Sequence, residues 1–431
     1  MKLDSLPLTK QNSMRSTRIL ALFALLSLSL TVSAQDTLRV MVYNLLFYGA
    51  SSPGGCTLTP IATKNGFFST IFNAARPDIL GINEMGPNTL YASNLLVNVL
   101  DPINPDYERT TYMNPSGSGI VNHLFYNSAK LGLADEGTIN NSFRDAHHYK
   151  LFYKDPGLAV GGDTTFIHVV VVHLDAAGAG SSTAVGQATD IMDFYDALGQ
   201  PGNYIVMGDM NSDASTDAGM EVFTAHSNPD IRMYDPVNKP GTWNNNSGFS
   251  AYHTQSTRVS SSDCGSAGGL DDRFDHIMVN RFIMNDSARV KYIPGSYWAY
   301  GQDGAHFNNN VNGPSPPNSS VSAAVANALV AGSDHLPVIL DLEISLLPTS
   351  LAEATKPIGI AVANVPVTET LEFTVTGPAY QWELLDLAGR NVMSGKCEGT
   401  ASVEASQLAP GVYVLRVRQG ISQGAVKLMK I

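Results

Sequence analysis

The sequence predicts an α/β fold followed by a small all-β module, and three observations carry that expectation. Short apolar runs of strand type recur between residues 37 and 343, most of them ending on a polar or titratable residue. A stretch of helical periodicity is interleaved with them. Beyond residue 346 the texture changes to short alternating segments separated by Gly-rich turns, the pattern of an antiparallel sandwich. A length of 431 residues, 44% hydrophobic and 15% charged, fits two or three domains with real cores and excludes a disordered polyelectrolyte.

The first element is an apolar run of 12 residues at 19–30 (ILALFALLSLSL), preceded by Arg15 and Arg18 and followed by Val32-Ser33-Ala34. A bilayer span needs about 20 residues. The short run, cationic flank and small-residue exit instead predict a secretory signal peptide, residues 1–34, cleaved after Ala34. No later run of 18 apolar residues exists, so no stable membrane span is expected. Residues 1–34 hold four Lys or Arg and one Asp, so their removal shifts the net charge from −12 to −15. That charge argues against broad electrostatic wrapping of nucleic acid, but not against an enzyme that gathers carboxylates around a cation. Export permits disulfides. Three cysteines allow at most one intramolecular bridge, and Cys56 with Cys264 is the expected pair because Cys397 lies in the C-terminal block.

Strands are predicted at 37–44, 78–84, 119–127, 166–174, 204–209, 273–280 and 336–343. Residues 183–198 place Val185, Ala188, Ile191, Met192, Tyr195 and Leu198 on one helical face. The stretch 307–320 (FNNNVNGPSPPNSS) cannot build a core and is predicted as a loop. In the last block, strands are predicted at 371–376, 380–387 and 412–418, where Tyr413, Leu415 and Val417 alternate with Arg416 and Arg418. The expected division is a catalytic domain at 35–345, a linker at 346–365 and a β-sandwich at 366–431.

Several of these segments deliver polar residues at or beside strand ends: Asn44, Glu84, His173, Asp209 with Asn211, Asp275, and Asp334 with His335. Singly, each is ordinary: Asn ends turns, Glu is solvated, and a buried His is commonly a satisfied core group. Together, carboxylates and amides with two imidazoles match what hard-cation phosphoester hydrolysis requires.

Six segments, Tyr43-Asn44, Asn83-Glu84, Val172-His173-Leu174, Gly208-Asp209-Met210-Asn211, Arg273-Phe274-Asp275-His276 and Ser333-Asp334-His335-Leu336-Pro337, resemble the endonuclease/exonuclease/phosphatase superfamily, which includes deoxyribonuclease I and abasic-site endonucleases. The resemblance implies a four-layered α/β sandwich, two packed mixed sheets flanked by helices, with the site where strands of both converge. It implies Mg²⁺ or Mn²⁺ held by Glu84 with Asn44 and Asp334. Asp209 would orient or deprotonate water and Asn211 would donate to a phosphoryl oxygen. Asp275 and His335 would form a carboxylate–imidazole pair, with His173 as a second imidazole. Two departures stand out. The run from Thr183 to Gln187 lacks an Arg that some relatives carry ahead of the Gln, and the catalytic Tyr of some nucleases has only Tyr112 as a counterpart. Tyr112, with Trp298 and His306 from the insertion at 297–333, is the expected substrate-binding set. His276 falls on the face opposite Asp275 and is expected to be structural.

Pro366-Val367, Leu371-Glu372-Phe373, residues 385–390 (LDLAGR), 408–415 (LAPGVYVL) and 427–431 (KLMKI) resemble the C-terminal sorting domain of the type IX secretion pathway. That implies passage across the outer membrane, with the secretion machinery as a partner, then release or surface attachment. A carbohydrate-binding or adhesive sandwich is the alternative. The leading expectation is a secreted, divalent-metal-dependent phosphoesterase, foremost an endonuclease acting on extracellular DNA or RNA. The same chemistry also serves phosphomonoesterases and phospholipase-type hydrolases of sphingomyelin or inositol phosphates. A reading of another class is a non-catalytic surface adhesion protein on this scaffold.

Overall fold

Alternation decides which face each strand residue takes, and in this chain both faces of each central strand find an apolar partner. The computed structural model describes residues 35–141, 143–177, 180–347, 358–386, 389–420 and 422–431. The predicted signal peptide, residues 348–357 of the predicted linker, and Leu387-Ala388 of the C-terminal motif lie outside the described residues.

In chain order the strands of the larger part are β1 Gln35–Tyr48, β2 Ile79–Met85, β3 Tyr107–Arg109, β4 Val121–Asn127, β5 Leu131–Ile139, β6 Ala146–Tyr153, β7 Phe166–His173, β8 Asn203–Asp209, β9 Met233–Tyr234, β10 Asp275–Asn280, β11 Val290–Tyr292, β12 Trp298–Ala299 and β13 Val338–Ser345. The helices are α1 Ile61–Ala75, α2 Thr89–Leu95, α3 Ser182–Leu198, α4 Ala218–Thr224, α5 Arg281–Asn285 and α6 Ala323–Gly332. One sheet runs β11-β13-β1-β2-β4-β3, with β12 on β13; the other runs β5-β6-β7-β8-β10-β9. Both are mixed: β1 with β2 and β7 with β8 are parallel, and the other pairs are antiparallel. The parallel pairs set Asn44 beside Asn83 and His173 beside Asp209, while the antiparallel neighbours β10 and β13 bring their N-terminal ends to the same edge. This topology gathers the strand-end residues.

The sheets pack through Val40, Val42, Ile79 and Leu124 on one side and Val169, Val171, Ile205, Met207 and Ile277 on the other, all buried. Gly81 permits the approach, since a Cβ there would fall 2.5 Å from the Met207 Cε. Outside the first sheet, Phe68 and Phe72 of α1 meet Tyr43 edge-on, at 5.7 and 6.3 Å between ring centroids. Outside the second, Ala184, Ala188, Ile191 and Tyr195 of α3 are buried. Ser181 caps α3 by accepting from the Ala184 N–H, and Gly199 ends it in the left-handed region. Helix, sheet, sheet and helix make the four layers that the resemblance implies.

Three predicted strands start two residues later than expected, that at 273–280 beginning at Asp275. The strand at 119–127 begins at Val121. The strand at 336–343 begins at Val338, because residues 334–336 bond instead to the 254–257 segment, through Leu336 N to Thr254 O and Thr257 N to Asp334 O. β5, β6, α1 and α6 had no predicted counterpart. The histidines of β6 (AHHYKLFY) hide its pattern, and α6 (AAVANALVAG) is apolar all round. Segment 307–320 has no helix or strand beyond one bridge at Phe307, as predicted.

Among the described residues the C-terminal module has seven strands: β14 Ile360–Val362, β15 Thr370–Val375, β16 Tyr380–Leu385, β17 Asn391–Cys397, β18 Thr400–Glu404, β19 Gly411–Gln419 and β20 Ser422–Lys430. They form sheets β14-β15-β18 and β17-β16-β19-β20, closed over Leu371, Phe373, Trp382, Leu384, Leu415 and Val417. It is a small β-sandwich.

Candidate active site

β8 lies between β7 and β10 in a register that sets His173 opposite Asp209 and Asp209 opposite Asp275, one rung across three strands. Gly208 makes the rung possible: a Cβ there would stand 1.7 Å from the Val172 carbonyl oxygen. From the other sheet, β1 brings Asn44 and β2 brings Glu84. Glu84, Leu46, Phe47 and Asn211 all have positive φ (59°, 48°, 53° and 46°). Left-handed backbone at such residues costs about 1 kcal/mol or more each and clusters at functional sites.

The Asn44 Oδ1 accepts from the Leu46 N–H, so its Nδ2 faces the carboxylates, 3.1 Å from Glu84 Oε1 and 3.0 Å from Asp209 Oδ2. The amide thus turns nitrogen to the carboxylates, while its oxygen is engaged by its own turn. The other Glu84 oxygen accepts from Phe47 N at 3.1 Å. Asp275 Oδ2 lies 2.7 Å from His335 Nδ1, and the far ring nitrogen, Nε2, points to Asp209 Oδ2 at 3.7 Å. His173 Nε2 is 3.5 Å from the same Asp209 oxygen. Asn211 donates Nδ2 to the Leu174 carbonyl, and its backbone N–H holds Asp209 Oδ1. Asp334 accepts from Ser266 N at 2.7 Å through Oδ2, while its buried Oδ1 has no partner among the described residues.

Burial pushes the Asp209 carboxyl up to about 7, with Asp275 and Glu84 adding and His335 opposing. Burial also raises Glu84, and Asp334 adds to it. At His335, burial is outweighed by Asp275 and Asp209, so its pKa stands well above the ordinary imidazole value. His173 goes the other way, lowered well below that value by burial, Arg144 and His335. The site thus pairs a cationic imidazole with a neutral one.

Could these residues hold a divalent cation? Ligand atoms of Glu84, His173 and Asp209 lie within 4.8 Å of one another, as do those of Asp209, Asp275 and His335. The buried carboxylates, with raised pKa values at Glu84 and Asp209 and an unpartnered Asp334 oxygen, are what a hard cation would neutralise. The donor set fits.

The expected substrate-binding set is not brought together with these residues. His306 is 2% exposed; its Nδ1 pairs with Asp303 at 2.8 Å and its Nε2 with the Pro316 carbonyl at 3.1 Å. Trp298 donates Nε1 to the Gln302 carbonyl and packs edge-on against Tyr300, at 4.9 Å. Trp298 packs against the core shared with β1 and α1, and the buried His306 ring is bonded within its own loop. Tyr112 lines a cleft of about 680 Å³ with Thr89, Leu96, Arg109, Thr110 and Leu133, apart from the strand-end residues.

Four residues with no assigned role serve the site. Asn83 bridges the sheets, donating Nδ2 to Val172 O and accepting the Asp209 N–H through Oδ1. Buried Arg144 donates to the His173 carbonyl and acts electrostatically on Glu84 and Asp209. Lys64 of α1 is buried and donates to the Leu45 and Leu46 carbonyls of the turn after Asn44. Gln255 places its Nε2 2.6 Å from His335 Nε2. Asn83 sits inside a recognised motif, whereas Arg144 and Gln255 lie outside the strands and carry no local signal. The expected disulfide is present, joining Cys56 to Cys264.

A four-layered sandwich with a carboxylate–imidazole centre at the shared strand ends is a phosphoesterase scaffold. Residues 54–335 match the family model described as Endonuclease/Exonuclease/phosphatase family, and residues 365–430 match the Secretion system C-terminal sorting domain. The chain belongs to the endonuclease/exonuclease/phosphatase family and carries a type IX sorting domain, which indicates secretion or cell-surface export. Members of this family are phosphoester hydrolases, typically dependent on divalent metal. Similar solved structures include a family protein from Bacteroides thetaiotaomicron (16% identity, 73% of this chain and 100% of that one, TM-score 0.43). The human Nocturnin catalytic domain is 14% identical over 72% of this chain and 97% of that one, with TM-score 0.43. A mannosyl-6-phosphatase of Bacteroides thetaiotaomicron VPI-5482 is 16% identical over 71% and 99%, with TM-score 0.42. Among curated proteins, none matches the chain in sequence. Among the described residues no helix is long and apolar enough to cross a membrane.

Proposed function

We propose that the protein is an exported, divalent-metal-dependent phosphodiesterase, an endonuclease of extracellular DNA or RNA, with residues 35–345 as its catalytic domain and 366–431 as its sorting domain. The observation that carries the reading is the convergence of Glu84, His173, Asp209, Asp275 and His335 at the common edge of two sheets. Four carboxylates (Glu84, Asp209, Asp275 and Asp334) surround the site, with His335 and Arg144 as nearby cations, so a bound divalent ion would bring the set close to neutrality and let it admit an anionic phosphoryl group.

Glu84 and Asp334 would hold Mg²⁺ or Mn²⁺, which when bound polarises a phosphoryl oxygen and offsets charge developing during in-line attack. Asp209, held by the Asn83 carboxamide and the Asn211 N–H, orients the attacking water and takes its proton. His335, fixed in orientation by Asp275, presents an N–H to the phosphoryl group. His173 stays neutral beside Asp209, and Asn211 has a second amide N–H to offer.

The test is hydrolysis of plasmid DNA, RNA, bis(p-nitrophenyl) phosphate and p-nitrophenyl phosphate by the purified protein, each with Mg²⁺, with Mn²⁺ and with chelator. Metal-dependent nicking of plasmid DNA or cleavage of RNA, with the diester preferred over the monoester, is the expected result. Preference for the monoester would move the assignment to a phosphatase. No turnover with any metal would favour a non-catalytic surface protein.

A further inference from the structure

His335 has one ring nitrogen committed to Asp275 and the other turned toward the cluster, where Asn44 Nδ2 stands 3.5 Å and Asp209 Oδ2 3.7 Å away. Asn44, Asp209 and Asp275 are buried, with at most 1% of their surface exposed. These side chains form the closed floor beneath the Nε2 edge. The Gln255 side chain, partly exposed, lies 2.6 Å from that nitrogen.

The backbone that carries Gln255 is fixed. Its N–H donates to the Asp272 carbonyl, and its own carbonyl accepts from both Asp271 and Asp272. The flanking Thr254 and Ser256 N–H groups are bonded to Asp272 and Gly269. The side chain, by contrast, is bonded to His335, so it can turn about its own torsions without breaking a backbone bond of the loop. With both ring nitrogens of His335 protonated, the 2.6 Å contact is a hydrogen bond when the carboxamide is turned so that its oxygen accepts from Nε2–H, and that setting leaves the NH₂ free for an incoming oxygen.

Resting on the phosphoesterase reading above, we propose that Gln255 is a substrate-contacting residue. Its carboxamide covers His335 Nε2 in the free enzyme, yields that position to a phosphoryl oxygen, and donates an N–H to the same phosphoryl group. It supplies a neutral donor where a carboxylate-rich site most needs one.

Two variants and two probes test this. Gln255→Ala removes the donor, and Gln255→Glu keeps the shape while replacing the donor with an anion. Kinetics on bis(p-nitrophenyl) phosphate give KM and kcat separately, and calorimetry with inorganic phosphate gives affinity without turnover. Loss of a hydrogen bond to a charged group is expected to raise KM and the phosphate Kd about 10-fold in Gln255→Ala. Gln255→Glu is expected to raise both further, because its charge faces the phosphoryl oxygens. Both variants should melt within a few degrees of the parent. Unchanged KM and phosphate affinity in either variant would overturn the proposal, as would equal weakening by Ala and Glu. If the parent protein binds phosphate but hydrolyses no ester, the phosphoesterase reading falls while calorimetry still decides Gln255. If it binds no phosphate at all, both fall.

Discussion

Glu84 occupies the left-handed region at φ 59°, breaking the alternation of β2 so that its carboxylate can reach Asn44 and the Phe47 N–H. Position and charge are separable there. Gln keeps the shape and loses the anion, so Glu84→Gln is expected to raise the midpoint of a Mg²⁺ or Mn²⁺ titration at least about 10-fold, a loss at the scale reported for perturbed metal shells. An unchanged titration would remove Glu84 from the ligand set. Arg144 tests the electrostatic side: Arg144→Met retains an apolar stem of similar length but removes the buried cation near Glu84 and Asp209. An accompanying fall in kcat/KM of about 10-fold or more, at unchanged melting temperature, would assign it to charge stabilisation rather than folding. At this scale the sequence was readable where a polar residue borders an apolar run, as at His173, Asp209 and Asp275. It was not readable at Arg144 or Gln255, whose neighbours in the chain give no hint of what they approach. Nor could it show that His306 would be bonded within its own loop and Trp298 packed against the core.

Between elements, the approach of β7 to β8 depends on a missing side chain. Gly208→Ala would drive a Cβ to 1.7 Å from the Val172 oxygen, next to Asp209, so the strands must separate. A destabilisation of about 2–4 kcal/mol is expected, read as a fall of several degrees in Tm together with loss of turnover. The Cys56–Cys264 bridge joins elements distant in sequence. It anchors the loop whose Ser266 N–H holds Asp334, and whose Asp263 pairs with Arg258 at 2.7 Å. Replacing both cysteines by Ala is expected to cost about 2–5 kcal/mol and to weaken metal binding through Asp334. Chemical denaturation and a metal titration on the same variant measure the two effects. Sequence periodicity located α3 within one residue at its start, because an amphipathic helix advertises its buried face. It passed over β6, where His147 and His148 are buried as though apolar.

Across the whole molecule, acid should be more damaging than the acidic composition suggests. His123, His148 and His276 have pKa values lowered to about 3, and His147 and His168 to about 4, in each case chiefly by burial. Unfolding returns them to the ordinary value near 6.5, so between pH 6.5 and about 4 the unfolded chain binds protons that the fold does not. Burying them neutral therefore costs nothing in proton binding above pH 6.5, and the fold loses stability as pH falls through that window. Thermal melts from pH 7.5 to 4.5 should show a steep decline in Tm, and His148→Phe should flatten it; a level profile would contradict the burial of these rings. The sequence by itself determined the family, the two-part architecture, the export route implied by the C-terminal domain and the residues that end each strand. Those follow from local periodicity and short motifs, which survive in one dimension. Only the tertiary structure decided that Asn44 turns nitrogen to the carboxylates, that Asn83 ties the two sheets at Asp209, and that Gln255 covers His335. Each depends on the angle and spacing at which separate segments meet, and packing alone sets that geometry.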